Sequence, residues 1–264
     1  MKKYIEIAKV FLKQQFMWRA DTIFNLILTV TKIAFAYILW GAVFQSKDVV
    51  AGFTFQSMLS YYLISAFLSQ LERSGEISKE ISTKIRNGTF SKYMVLPVNI
   101  QKYYISMQIG TILFYLGCNL LAAMVWNYVF KINFVMMQNP LILLYAVVLI
   151  LLGLLFMIQL NYFLGILAFK LQEISTILMI KDNLLALITG SMIPLALLPE
   201  KIVECMKLFP FYYVTYLPSM LLIGRCKEEA LLGVFVIMCW ILAFAMINNV
   251  IYKKYRIKYD GVGI

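Results

Sequence analysis

Apolar residues in this chain gather into long blocks separated by short polar stretches, and the length of the blocks says what they are. A helix needs about 20 residues to cross a hydrocarbon core of ~30 Å. Blocks of that order occur at 22–45, 54–71, 103–126, 140–168, 174–198 and 230–252. The pattern predicts an all-α membrane protein, six spans forming a single transmembrane domain over residues 1–264.

Three pieces fall outside those blocks. Residues 1–20 place Ile5, Ala8, Leu12 and Phe16 at spacings of three to four, with Lys2, Lys9 and Lys13 elsewhere around the helix. That is the pattern of an interfacial helix lying on a membrane leaflet. Residues 199–229 are apolar but broken by Pro199, Pro210 and Pro218. Pro199 suits a first helical turn and Pro210 ends it, and the ten or so residues between them reach only ~15 Å. Two short re-entrant helices before the sixth span are the predicted solution, with Phe211, Tyr212, Tyr213 and Tyr216 suited to an interfacial belt.

The third piece, residues 72–102, is the longest stretch free of a spanning run. Ile77, Ile81 and Ile85 repeat every four residues and form one apolar stripe. Glu76, Lys79, Glu80, Thr83, Lys84 and Arg86 fill the remainder, with Glu80 and Lys84 as an i,i+4 pair. Asn87-Gly88 supplies a helix stop, and Pro97 holds Leu96 extended before the chain returns to apolar sequence. A helix resting on headgroups carries a more uniformly basic polar face. The admixture of Glu72, Glu76 and Glu80 favours docking against a protein.

Composition agrees with a membrane location: 62% of residues are hydrophobic and 14% charged, far from the near-even apolar share of soluble domains. The net charge of +11 raises nucleic acid as a partner, but its distribution points to the membrane. Lys and Arg concentrate before the first span, in 72–102 and after the last span. This places both termini in the cytoplasm of a multi-pass membrane protein. The opening residues have charges interleaved among apolar ones, without the apolar core of a signal peptide. There is no histidine, which removes histidine-based acid–base catalysis. The four cysteines show no metal-binding spacing, so no catalytic or metal site is assigned. Cys205 and Cys226 fall on one predicted extracytoplasmic stretch, leaving a disulfide and two free thiols as alternatives.

Within the spans, Lys32 lies about eleven residues beyond Asp21, ~16 Å deep. Ionisable groups at that depth face a bundle interior or a wet cavity. Lys32 and Asp182 are therefore pathway candidates and a candidate pair, against the alternative that Lys32 snorkels from a span that begins later. Asn119, Gln159, Asn161, Asn248 and Asn249 are expected to hydrogen-bond between helices, at about 0.6 kcal/mol each. Gly110, Gly117, Gly153 and Gly165 are expected to permit close helix approach.

The run IRNGTFSKYMVLPVNIQKYY, Ile85–Tyr104, resembles the stretch after the second span of ATP-binding-cassette type-2 permeases. The six-span order, the leading interfacial helix and the sequence Gly190, Pro194, Pro199, Pro210 resemble the same family, as does the basic-aromatic tail YKKYRIKYDGVGI. The resemblance implies that residues 72–102 hold a coupling helix seated in an ATPase subunit. By that analogy the contacts would come from Glu72, Glu76, Ile77, Glu80, Ile81, Lys84, Ile85, Arg86 and Gly88. No GxxxxGK[ST] phosphate loop is present, so ATP and Mg would be bound by a separate nucleotide-binding partner. A second permease subunit, identical or related, would complete the pathway within membrane lipids. The implied function is export of an amphipathic, lipid-like, peptide or drug substrate. A membrane-embedded lipid-modifying enzyme is the alternative, but it would need clustered carboxylates, histidines or a metal motif. A passive channel would leave the coupling segment without a partner.

Overall fold

A computed structural model of the chain describes residues 2–17, 19–130, 134–171, 173–189 and 195–259. Among these, the regular elements are all helical. They are α1 (Lys2–Gln15), α2 (Arg19–Phe44), α3 (Phe55–Leu71), α4 (Gly75–Arg86), α5 (Ser91–Met94) and α6 (Ile100–Phe130). The second half of the chain supplies α7 (Pro140–Ile166), α8 (Ala168–Leu171), α9 (Ser175–Ile188), α10 (Glu200–Met206), α11 (Tyr216–Leu222) and α12 (Ala230–Tyr255). Local sequence sets several of the ends. Thr54 and Ser57 form a reciprocal capping box on α3, and Asn139 caps α7, with Pro140 opening its first turn.

Among the described residues, four helical stretches are long and apolar enough to cross a membrane: Thr22–Phe44, Ile100–Met124, Pro140–Leu171 and Lys227–Tyr255. They correspond to the expected first, third, fourth and sixth spans. The other two expected spans appear as shorter helices. α3 has 17 residues and α9 has 14, about 25 and 21 Å at 1.5 Å per residue. α9 therefore stops well before the predicted end at 198, and Leu195–Leu197 forms a separate tight turn. Pro194 lacks a backbone donor and would clash with the preceding turn of a continuous helix. Gly190 and Pro194 themselves lie outside the described residues.

α7 is the centre of the molecule. α12 runs along it, while α4, α11 and the start of α6 pack on its other sides. Its inner half buries Phe156, Met157, Ile158, Tyr162 and Ile166. Two glycines admit the segment at 210–222. A Cβ at Gly153 would meet the Val214 backbone at 3.1 Å, and one at Gly233 would meet Leu217 at 2.6 Å. The predicted pair of short helices is present. α10 stays at the surface, whereas Tyr216, Leu217, Ser219 and Leu221 of α11 are buried against α7 and α3.

α1 forms as predicted but packs lengthwise on α6. Phe11 meets Tyr103 edge-on, and Phe16 meets Phe114. Lys3 donates to the Pro97 carbonyl, and Tyr4 receives the Asn99 amide. Its contact face is Tyr4, Ile7, Ala8, Phe11 and Leu12, rotated from the predicted stripe, while Ile5 and Phe16 remain largely exposed.

Candidate functional site

The polar segment between α3 and α6 folds against the bundle through α4. Ile77, Ile81 and Ile85 turn inward and are buried, facing α7 and α8. The contact is close because Gly165 of α7 has no side chain; a Cβ there would lie 2.8 Å from the Cβ of Ile81. This corrects the assignment of the isoleucine stripe as a partner-facing surface. The protein it docks on is its own chain, since burying an apolar face requires only the nearest complementary apolar surface. Gly88 is also buried, at φ +72°, where it lets the chain turn after α4.

The outward face of α4 is polar. Lys79, Thr83 and Arg86 are exposed, with Glu76 at its margin. The sequence spacing put Lys79 and Thr83 on this polar face, opposite the isoleucines, but the family resemblance did not include them among the coupling contacts. The remaining candidates hold the helix in place. Lys84 contacts both Glu80 and Tyr93. Burial lowers the pKa of Lys84, and the bonds to Glu80 and Tyr93 raise it by more, so the ammonium is held charged. Arg86 reaches Glu173, ahead of α9, at 2.8 Å, and the other oxygen of Glu173 receives the Ser175 amide at 2.9 Å. These bonds hold the Glu173 carboxyl below the usual carboxylate range, with the Ser175 backbone first and Arg86 adding to it.

A buried polar chain connects the start of α4 to the bundle. Glu72 accepts from the Ser74 amide and hydroxyl. The Asn161 amide of α7 donates to the Ser74 oxygen at 2.7 Å, and its carbonyl receives Lys181 of α9 at 2.8 Å. Lys181 then pairs with Asp182 at 2.7 Å. One asparagine thus links α4, α7 and α9 through bonds that a low-dielectric interior strengthens.

A family model described as "ABC-2 family transporter protein" matches residues 30–263. The chain belongs to the ABC-2 family of transporter proteins. It is an integral membrane protein of the transport-subunit type, and permeases of this family work with an ATPase subunit. No curated protein matches the chain.

Two further expectations for this ABC-2 family member meet the structure differently. Asp182 pairs with its neighbour Lys181, whereas Lys32 sits exposed on α2; the two candidates are not brought together. Cys205 and Cys226 are free thiols. Among the described residues, no group of His, Cys, Asp and Glu is arranged to hold a metal. On the surface around Arg225, the guanidinium lies 4.2 Å over the Phe53 ring, and Lys207 meets Glu229 at 2.8 Å. Both contacts brace the segment around α10 and α11 against its neighbours.

Proposed function

We propose that this chain is the six-span permease subunit of an ATP-binding-cassette exporter in the bacterial plasma membrane. In this reading a separate ATPase subunit binds ATP and Mg, and a second permease subunit completes the pathway. The observation that carries it is the division of α4 into two faces. The isoleucine side is locked to α7, while Lys79 and Thr83 are offered outward, and Arg86, also exposed, is tied to Glu173. A helix so mounted can pass a push from a partner into the bundle as a rigid body. α2 and α9, by contrast, leave apolar residues such as Phe35, Ile38, Met179 and Leu184 exposed. Lipid and a second permease subunit would cover them. The substrate class, amphipathic, lipid-like, peptide or drug, follows from the family resemblance together with this apolar surround.

The test is co-purification with a co-expressed candidate ATPase subunit. Lys79→Glu combined with Thr83→Asp should remove ATPase association and ATP-dependent export while leaving the melting temperature of the permease within a few degrees. Retained association would overturn the docking face. Ile81→Asp, by contrast, tests the seat: it buries a charge against Gly165 and should destabilise the fold by at least about 3 kcal/mol.

A further inference from the structure

A second site lies on the other side of α4. A cavity of about 540 Å³ opens between α1, α2, α4 and α6, within the 300–1,000 Å³ span of small-molecule sites (roughly). Its walls divide by chemistry. Phe11, Phe24, Met107 and Tyr115 supply apolar surface, and Arg73, Glu76 and Gln108 supply polar groups.

Three observations make this a built site. Gln108 is only 2% exposed, yet its Nε2 has no hydrogen-bond partner. A buried donor left in that state is costly unless a ligand accepts from it. Next, Arg73 and Glu76 share the cavity wall without forming an ion pair. Arg73 instead lies 4.8 Å over the Tyr115 ring, and Glu76 meets Lys79 only at 3.6 Å. Opposite charges held apart around a void fit a ligand that carries both signs. Finally, the cavity sits where apolar sequence begins. Phe24 is two residues inside the apolar stretch that starts at Thr22, and its ring is largely exposed. Arg73 lies two residues past the end of α3. This is the level of lipid headgroups, where such pairs of aromatic and charged residues collect.

We infer that the cavity binds a zwitterionic phospholipid of the ethanolamine type. Its ammonium faces Glu76, its phosphate takes hydrogen bonds from Arg73 and the Gln108 amide, and its acyl chains leave past Phe11 and Phe24. The second carboxylate on the wall, Glu80, is engaged by Lys84 and Tyr93, which leaves Glu76 as the ammonium acceptor. This inference stands apart from the transport reading, because it needs neither an ATPase nor a substrate.

The test uses the purified full chain in maltoside detergent without its ATPase. Melting temperature is followed while phosphatidylethanolamine, phosphatidylglycerol or soluble glycerophosphoethanolamine is added. Phosphatidylethanolamine should raise it in a saturable way, with an apparent affinity about tenfold better than phosphatidylglycerol. Glu76→Gln should remove that preference. Gln108→Leu should raise the melting temperature of the lipid-free chain, because an unmet donor is gone, and should also weaken the response to phosphatidylethanolamine. That opposed pair of effects separates ligand binding from a folding defect. Equal responses to the two lipids would overturn the inference, as would an equal response to the soluble headgroup. A Gln108→Leu chain with an unchanged phosphatidylethanolamine response would do so too.

Discussion

Asn161 sits inside α7 with both ends of its amide in use, one towards Ser74 and the other towards Lys181. Leucine would be the better residue for an apolar helix, so the asparagine is there for what it joins. Asn161→Ala leaves the Lys181 ammonium with Asp182 alone and the Ser74 hydroxyl without its donor. Equilibrium unfolding in detergent should show a loss of about 1–3 kcal/mol. If α4 transmits force through this link, ATP-driven export should fall further than the loss of folded protein accounts for. In the sequence Asn161 was legible only as a polar residue in an apolar run. Its partners lie 87 and 20 residues away, and nothing in periodicity says which distant helix a polar side chain will meet. Lys32 shows the same limit in reverse. Its depth in a span suggested a partner, but Asp182 had a nearer one in Lys181.

Helix identity was legible because it depends on local spacing. The stripe of Ile77, Ile81 and Ile85 predicted α4 correctly, but a stripe carries no label for what it faces. Close approach depends on both helices, and the deciding feature was the missing side chain at Gly165. The same holds for α1, whose stripe was drawn one position off because Gly110 fixes where α1 can lie. A Cβ at Gly110 would come within 2.2 Å of the Ala8 carbonyl oxygen. Gly110→Ala should therefore lift α1 from α6. A Phe11→Cys, Tyr103→Cys pair, placed where the two rings now meet, should be bridged by a short bifunctional thiol cross-linker with wild-type Gly110 and lose that bridge with alanine. The junction of α4 with α9 should respond to pH. Glu173 has a lowered folded-state pKa, so its stabilisation is whole above the usual carboxylate range and drains away as pH falls through the folded value. Hydrogen exchange at the start of α9, corrected for intrinsic rates, should accelerate only in acid. Glu173→Gln should abolish that acid-specific step.

At the scale of the whole molecule, α7 gathers the fold around itself, and its position between α4, α11 and α12 could not be read from six similar apolar blocks. Their order along the chain was legible; their neighbours were not. Sidedness remains a matter of where the lysines and arginines lie, and it can be checked directly. Cys205 is exposed and should react with a membrane-impermeant maleimide in intact cells. A cysteine replacing Lys79 should react only in inside-out vesicles. The two faces of α4 are also under separate physical constraints. Residues that touch α7 are constrained by the interior of one chain, whereas Lys79 and Thr83 face outward. If an ATPase docks on that outer face, its choice can change by editing one side of a single twelve-residue helix. A permease built this way can change engines without rebuilding its frame.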